Sequence, residues 1–543
     1  MRVFLGFFLL SCISLFSVSE SVKGVKAGEG LMTDDKIREN KRPNILFVIS
    51  DDQSFPHASI YGQNWIDTPV FDSIAKKGML FTNAFSASPG CSPSRAAILT
   101  GFNDWQIKDA GTHDSGFPLD YKVYPDILEE LGYKVGYTGK GWGPGNWQES
   151  GRKRNPAGDE FNNRKLEPPT TGISTNDYSG NFNDFLAEGD PESPFCFWFG
   201  AREPHRPFER GSGLKSGKKP EDVTVPGFLP DVKQVREDLL DYALEIEWFD
   251  SQLGKMLKKL EDLGMLSNTI VVVTSDNGMP FPRAKANTYE YGIHVPLAIM
   301  WKDRIPSGRI IETPVSLIDL APTFLEAATD SETINSRKLY PMEGKSLLNL
   351  LLNFPVKNGY SRDAVFASRE RHSSSRWGNL TYPQRAIRTQ DFLYIQNIKP
   401  ERWPAGAPQK YNSDGSLGPM HDAYHDIDGS PTFDYMVTHR SDFKILPFFN
   451  LAVAKRPDEE LYDIKNDPFC LVNLVSDSDY APEVLELKKA LTNYLIETGD
   501  PRATGNGAVY ENYIRYSQIR KFPIPDWAKR DSLVKLIPEG IRD

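Results

Sequence analysis

The stretch NILFVISDD (residues 44–52) joins an uninterrupted apolar run to two aspartates. An apolar run without alternation is typical of a β-strand buried on both faces. Four further strand candidates follow: KVGYTGK (134–140), FCFWFG (195–200), TIVVVTS (269–275) and PLAIMW (296–301). Residues 235–264 place apolar residues at helical spacing and end in glycine. The alternation predicts an α/β fold in which helices cover both faces of a parallel sheet.

The pattern changes after about residue 360, where shorter β-like pieces such as DFLYIQNI (391–398) are separated by loops. This pattern of short strands and loops predicts a smaller C-terminal subdomain with an antiparallel sheet. Residues 401–445 are rich in Pro, Gly, Asp and His, which is typical of long loops, either at an active-site rim or on plain surface. We therefore predict an N-terminal domain (42–360), a C-terminal subdomain (361–510) and a tail (511–543).

The composition is that of a soluble globular protein. The 543 residues are 39% apolar and 25% charged, and the net charge is −10. An acidic balance argues against a general nucleic-acid or anionic-membrane surface, so we expect no nucleic-acid partner. A local basic pocket for an anionic substrate remains compatible with this charge.

The N-terminus, MRVFLGFFLLSCISLFSVSESVKG, has the pattern of a secretory signal, with one arginine before a short apolar run. We predict a signal peptide over residues 1–23, no stable membrane span, and export to the periplasm or medium. Cys12 ends a possible lipoprotein box, which would give a lipid-anchored protein instead. The mature chain keeps Cys91, Cys196 and Cys470, and Cys196 lies within a predicted buried strand.

Cys91 lies in the stretch SPGCSPSRAAILTGF (88–102), at the start of a predicted helix. Ser92 is a suitable N-cap, Pro93 suits the first turn, and Gly101 is expected to end the helix. The positive end of the helix dipole favours negative charge at such a position. Cys91 is therefore either a small packing residue or a nucleophile, and the helix alone does not decide between them.

Two strand candidates end in acidic residues. Asp51 and Asp52 follow residues 44–50, and Asp276 with Asn277 follows residues 269–275. Ligand sites in open parallel sheets form beyond the carboxyl ends of the strands, so these side chains are expected to meet. Carboxylate and amide oxygens suit calcium or magnesium rather than zinc.

Basic residues stand near other strand ends and near Cys91. They are Arg95, one helical turn after Cys91, and Lys140, His205 and Lys285. Taken singly, each of these residues is more typical of an exposed charged side chain than of a catalytic one. Together with a divalent cation they would form a pocket for a tetrahedral oxyanion.

The ordered motifs resemble those of the formylglycine-dependent sulfatases. CSPSRAAILTG resembles the family signature, and it is accompanied by the DD strand end, TGK, PH, SDNG and TYEYG in the family's order. The resemblance runs from about residue 44 to 468, which is most of the mature chain. CSPSRA, SDNGMPFP and the ELYD segment are most similar to the heparan N-sulfoglucosamine sulfohydrolases and to bacterial polysaccharide sulfatases. The resemblance implies an alkaline-phosphatase-like α/β sandwich with a large mixed, mostly parallel sheet, plus a C-terminal α+β subdomain.

The resemblance also implies a sulfatase that hydrolyses sulfate groups of a sulfated polysaccharide, such as a glycosaminoglycan or ulvan, within domain 42–360. Cys91 would be converted to formylglycine by a formylglycine-generating or anaerobic sulfatase-maturing enzyme. One Ca²⁺ per chain would be bound by Asp51, Asp52, Asp276, Asn277 and residue 91. The sulfate would be held by Arg95, Lys140, His205 and Lys285.

One position departs from the family pattern. Sulfatases usually carry a histidine two residues after the lysine matched by Lys140, and this chain has Trp142 there. His113, in AGTHDSGF, is the nearest replacement as general base, and a purely supporting loop histidine is the alternative. Residues 368–388 supply a candidate substrate subsite of Arg371, His372 and Arg385.

Two other functions are compatible with such a fold. A phosphatase or phosphodiesterase of the same superfamily would use serine or threonine as nucleophile and histidine-rich paired zinc sites, and Cys91 and Asn277 count against it. A non-catalytic carbohydrate-binding relative would not require Cys91, Arg95 and the acidic residues, which are all present.

Overall fold

The computed structural model describes residues 42–190, 192–329, 341–353 and 360–530. The predicted signal peptide (1–23), Cys12 and the end of the predicted tail lie outside the described residues. The described strands are β1 (Asn44–Ser50), β2 (Met79–Phe85), β3 (Lys134–Gly139), β4 (Asp159–Glu160), β5 (Phe195–Gly200), β6 (Thr269–Ser275), β7 (His294–Trp301), β8 (Arg309–Ile311), β9 (Val315–Ser316), β10 (Ala364–Arg369), β11 (Gln384–Thr389), β12 (Phe392–Asn397) and β13 (Glu459–Asp463).

The helices divide between long packing helices and single turns. They are α1 (Pro69–Lys77), α2 (Cys91–Thr100), α3 (Tyr124–Glu130), α4 (Tyr178–Ala187), α5 (Ser212–Lys215), α6 (Lys233–Asp262), α7 (Glu290–Ile293), α8 (Leu320–Ala328), α9 (Leu348–Leu351), α10 (Pro431–Thr438), α11 (Leu446–Val453), α12 (Ala481–Glu497), α13 (Val509–Asn512) and α14 (Asp526–Arg530). Of the helices in the described residues, none combines the length and apolar character needed to cross a membrane.

The large sheet has the order β4-β3-β5-β1-β6-β7-β2-β8, with β9 beside β2. β1 lies between β5 and β6 and is parallel to both. Among the described strands of this sheet, β7 alone runs against its neighbours. The predicted mixed, mostly parallel sheet is confirmed. β2 was not among the predicted strands, because Thr82 and Asn83 interrupt its apolar pattern.

Helices cover both faces of this sheet, as the uninterrupted apolar run of β1 predicts. Alternate β1 residues enter opposite cores: Ile45, Phe47 and Ile49 pack on one face, and Leu46 and Val48 on the other. The first core contains residues of α2, α3 and α8. The second contains residues of α1, α4 and α6. Each face therefore buries its own hydrophobic layer, which makes the fold a sandwich.

The second sheet is antiparallel, with the order β10-β11-β12-β13. Helix α12 packs on it through Leu487, Leu491 and Leu495, which recur every four residues and share a core with Ile387 and Tyr394. The opposite face packs on residues around β2 and α7 of the large sheet. The described residues from 42 to 530 belong to one compact unit, and the boundary at residue 360 stays a prediction.

Candidate active site

The acidic strand ends meet as predicted, because the parallel register of β1 and β6 pairs Ser50 with Ser275. The Asp52 backbone N–H donates to Asp276 Oδ1 at 3.1 Å, and Asn277 Nδ2 donates to Asp52 Oδ1 at 2.7 Å. Asp51, Asp52, Asp276 and Asn277 are at most 2% exposed. Carboxylates without solvent need cations or donors, so the surrounding residues decide what this cluster can do.

Arg95 extends from the first turns of α2 into this cluster and is fully buried. Its Nε donates to Asp276 Oδ2 at 2.7 Å, and its Nη1 donates to the backbone carbonyls of Lys140 and Gly141. Its Nη2 lies 3.9 Å from Asp51 Oδ1. Arg95 therefore fixes the nucleophile helix, the β6 end and the β3 end relative to one another.

Two lysines neutralise the paired aspartates of β1. Lys140 Nζ lies 2.6 Å from Asp51 Oδ2, and Lys285 Nζ lies 2.6 Å from Asp52 Oδ2. Burial alone would raise the pKa of Asp51, but Lys140 above all holds that pKa well below its usual range. Burial alone would lower the pKa of Lys285, and the Asp428 and Asp52 carboxylates hold it well above its usual range. Both lysines are therefore charged at neutral pH.

Cys91 begins α2 and is 1% exposed, with Sγ 3.8 Å from Asp52 Oδ1. The predicted Ser92 cap is wrong, since Gly90 is the N-cap and the Ser92 hydroxyl accepts from the Asp114 backbone N–H instead. Gly101 ends the helix as predicted, with φ 70°. Burial and the Asp51 carboxylate raise the pKa of the Cys91 thiol well above its usual value. The unmodified thiol is therefore protonated and a poor nucleophile.

His205 and Asp428 complete the rim of the pocket. His205 lies on the loop after β5, about one-third exposed, with Nε2 3.8 Å from Asp52 Oδ2. Asp428 Oδ2 lies 3.1 Å from Lys285 Nζ, so Lys285 bridges two carboxylates. Asp428 was not among the predicted site residues, although it lies in an Asp-Ile-Asp-Gly stretch within the predicted long-loop region 401–445. That region therefore contributes to the site rim.

His113 and His372 lie together beside the start of α2. Their ring centroids are 4.4 Å apart, and a Cβ built on Gly90 would lie only 3.1 Å from His372 Nδ1. Burial lowers the pKa of His372 to about 3, and burial together with His372 lowers that of His113. Both imidazoles are therefore neutral at neutral pH, which is the form that accepts a proton.

The structure does not bring the other two predicted substrate residues to this pocket. Arg385 is fully buried, with its guanidinium on Asp500 and Glu370. Arg371 is 2% exposed and donates to the Ser115 hydroxyl and the Tyr513 backbone carbonyl. Trp142, which replaces the expected histidine, is also internal and donates its indole N–H to the Ser92 carbonyl at 3.0 Å.

The acidic cluster fits a hard divalent cation. Asp51, Asp52 and Asp276 each offer an oxygen, and these atoms lie within 4.8 Å of one another. Asp51 Oδ1 and Asn277 Oδ1 are buried and have no hydrogen-bond partner among the described residues. Unpartnered buried oxygens are costly unless something binds them. Four carboxylates, including that of Asp428, face the three cations Arg95, Lys140 and Lys285. The carboxylates outnumber the cations, so a bound divalent cation would make the pocket positive and attractive to an anion.

Residues 43–331, more than half of the chain, match the family described as Sulfatase. The chain belongs to the sulfatase family. It is 27% identical to an ulvan-active sulfatase of Formosa agariphila, over 88% of this chain and 78% of that protein. It is 28% identical to the human N-sulphoglucosamine sulphohydrolase, over 86% of this chain and 93% of that protein. The family prediction made from the motifs is confirmed.

Solved structures confirm the predicted fold of this sulfatase. One, in complex with its substrate D-glucosamine-2-N,6-O-disulfate, has a TM-score of 0.59 at 20% identity and covers 85% of this chain and 99% of its own. The phosphonate monoester hydrolase of Agrobacterium radiobacter has a TM-score of 0.57 at 17% identity and covers 84% and 96%. At such identities the likeness establishes the architecture, and the activity must be argued from the pocket.

Proposed function

We propose that this protein is an exported sulfatase that hydrolyses sulfate groups from a sulfated polysaccharide or its oligosaccharides. The observation that carries the proposal is the position of Cys91, at the start of α2 and inside a pocket of paired carboxylates and charged lysines. Its protonated thiol is unsuited to attack, yet its sulfur lies 3.8 Å from Asp52 Oδ1 in the acidic cluster.

The proposed nucleophile is formylglycine, formed from Cys91 by a maturation enzyme of the kind that acts on this family. Its hydrated aldehyde supplies an oxygen nucleophile and lets sulfate leave as the aldehyde re-forms. Asp52, 3.8 Å from the Cys91 sulfur, is placed to orient the modified side chain. A serine or threonine at this position would lack the second hydroxyl that release requires.

The proposed metal ion is one Ca²⁺, held by Asp51, Asp52, Asp276 and Asn277 together with residue 91. Its charge would lower the pKa of the bound nucleophile and polarise the sulfate. Asn277 supports an oxygen-ligated ion rather than zinc, because its amide oxygen stands where a zinc site would use histidine.

The proposed roles of the other site residues follow from their positions and charges. Lys140 and Lys285 are charged and border the cluster, so they would hold the sulfate oxygens. The Arg95 guanidinium is already hydrogen-bonded to Asp276 and to two backbone carbonyls, so its proposed role is to hold the strand ends of the pocket in position. His205, on the exposed rim, would donate to the leaving group. Arg371 and Arg385, bound to internal partners, would have a structural role.

The general base is proposed to be the neutral pair of His113 and His372. The pair lies beside Gly90, the residue before the nucleophile, and Trp142 has no atom that accepts a proton. Burial lowers the pKa of both imidazoles, and their 4.4 Å separation disfavours a charge on either, so the pair would hold a proton only briefly and release it readily.

The substrate class and the cellular location rest on relatives and on the sequence. A sulfated glycosaminoglycan or ulvan-like polysaccharide is proposed because the similar proteins act on N-sulphoglucosamine and ulvan. Export through the signal at residues 1–23 would bring the enzyme to such polymers. Domain 42–360 would carry the chemistry, and subdomain 361–510 would contribute His372 and Asp428.

The proposal is tested by mass spectrometry of the peptide containing residue 91, from protein produced with a maturation enzyme, and by desulfation of defined sulfated oligosaccharides. We expect an aldehyde at residue 91, release of sulfate, and complete loss of turnover in Cys91→Ala with unchanged folding. Turnover by protein whose Cys91 is an unmodified thiol would contradict the proposal. Phosphodiester hydrolysis with two bound zinc ions would favour the superfamily alternative.

A further inference from the structure

A second cleft lies outside the sulfate pocket. It has a volume of about 360 Å³ and is formed by the segments around residues 376–380, 402–409 and 523–527 together with Lys455. Three partly exposed tryptophans line it, namely Trp377, Trp403 and Trp527. We call it the tryptophan cleft. None of its residues takes part in the chemistry proposed above.

The cleft is lined by three cationic side chains. Arg376 is 4% exposed, and although it is bonded to Asp426 its Nη1 has no hydrogen-bond partner among the described residues. Arg402 is 8% exposed, its Nη1 lies 2.8 Å from Glu511 Oε1, and its Nε likewise lacks a hydrogen-bond partner there. Asp426 and Glu511 therefore balance the two arginines, and Asp526 also lies in the lining, whereas Lys455 at the rim has no ion pair among the described residues. An anionic ligand complements this charge.

The tryptophans add flat apolar surfaces to this charge. The Trp377 and Trp527 rings lie edge to face with centroids 6.3 Å apart, and Lys455 Nζ lies 5.1 Å from the Trp403 ring centroid. Indole rings stack on the C–H faces of pyranose sugars, while guanidinium and ammonium groups bind their carboxylates or sulfates. The combination of aromatic faces and cations matches an acidic sugar better than a neutral or purely apolar ligand.

The cleft and the sulfate pocket are joined by one short segment. His372 borders the pocket beside Gly90, and Arg376 and Trp377 line the cleft. Four residues of chain span at most about 14 Å, so the two sites are within reach of one oligosaccharide. Asp426 fixes the segment, since its Oδ1 accepts from the Ser373 backbone N–H and its Oδ2 from Arg376.

We propose that the tryptophan cleft is a second carbohydrate subsite, which binds a carboxylate- or sulfate-bearing sugar of the polysaccharide whose sulfate group occupies the catalytic pocket. The inference rests on the proposed function and deepens it, because it makes the enzyme recognise a polymer rather than an isolated sulfated sugar.

The test compares a polymer with a substrate too small to reach the cleft. The values of kcat/KM are measured for heparan sulfate and ulvan and for 4-nitrophenyl sulfate, in wild type, Trp403→Ala and Trp527→Ala. We expect about a tenfold or larger fall with the preferred polysaccharide, through KM, and no change with 4-nitrophenyl sulfate. Trp248→Ala is the matched control, since Lys255 lies over that ring at 5.4 Å on α6, outside the cleft.

Binding is measured separately by calorimetry with the Cys91→Ala protein, which needs no turnover. We expect the sulfated polysaccharide to bind, the two cleft variants to bind it about tenfold more weakly, and dextran not to bind. The subsite would be overturned if the variants lowered kcat/KM equally for the polysaccharide and for 4-nitrophenyl sulfate, or if neither variant changed it. It would also be overturned if the protein bound polyglutamate as tightly as the sulfated polysaccharide. Tryptophan-dependent binding without desulfation by the mature enzyme would instead refute the proposed function alone.

Discussion

Replacing Lys285 by methionine tests whether its charge holds the pocket together. Lys285 is 5% exposed, and its Nζ lies 2.6 Å from Asp52 Oδ2 and 3.1 Å from Asp428 Oδ2. Methionine keeps the length and most of the volume of the side chain but leaves two carboxylates without their shared cation. Breaking a buried ion pair from one side costs about 3–5 kcal/mol of unfolding free energy.

The same substitution removes one proposed sulfate contact. A hydrogen bond to a charged group contributes about 1.5–3 kcal/mol, so kcat/KM on an aryl sulfate should fall about 10- to 150-fold. Urea unfolding gives the stability and initial rates give the activity. Adding Asp428→Asn to Lys285→Met removes one stranded carboxylate, so it should restore about 1–3 kcal/mol of stability without restoring activity.

The matched control is Lys215→Met, which removes a lysine from an exposed pair with Glu209 at 2.7 Å. It should leave both unfolding and activity unchanged, because solvent screens such pairs. If Lys285→Met is as stable as this control, the charge of Lys285 does not stabilise the buried carboxylates. The same conclusion follows if the double variant shows the plain sum of the two single effects.

Three further outcomes are expected. Chelation of divalent cations or Asp276→Ala should abolish activity and lower the thermal midpoint, and a chelated enzyme with full activity would contradict the metal site. Burial raises the pKa of Glu245 to about 9, above its ordinary value of about 4.3, so the unfolded chain loses this proton at a lower pH than the folded protein. Glu245→Gln should therefore become increasingly more stable than wild type as the pH rises from about 5 to 9. A constant difference in the free energy of urea unfolding across that range would refute this. His113→Ala should stall sulfate release and leave a sulfate-sized mass increment on the peptide with residue 91, whereas His205→Ala should slow the first step without it; normal steady-state rates in His113→Ala would exclude that base.

Local patterns in the sequence were sufficient for the sheet centre and the acidic cluster. An uninterrupted apolar run such as residues 44–50 requires burial on both faces, and the parallel register then brings Asp51 and Asp276 together. The antiparallel C-terminal sheet was predicted from a different local pattern, short strands separated by loops.

What depended on tertiary contacts could not be read from local patterns. Arg385 was expected at the substrate, but its partner Asp500 is distant in sequence and consumes its guanidinium. Asp428 looked like one of many loop acids, because only the fold brings it to Lys285. The nearness of His113 to His372 likewise comes from contact between the two sheets' loops rather than from spacing.

The near-complete burial of Cys91 has a consequence for the order of events during biosynthesis. At 1% exposure, and with Asp52 Oδ1 only 3.8 Å from its sulfur, the side chain cannot be reached by another enzyme once the sheet has closed. Closure requires β1 to pair with β6, which is synthesised long after Cys91. Such long-range parallel pairing forms slowly. The conversion proposed for residue 91 would therefore have to take place before β6 arrives, and faster folding would then yield less active enzyme.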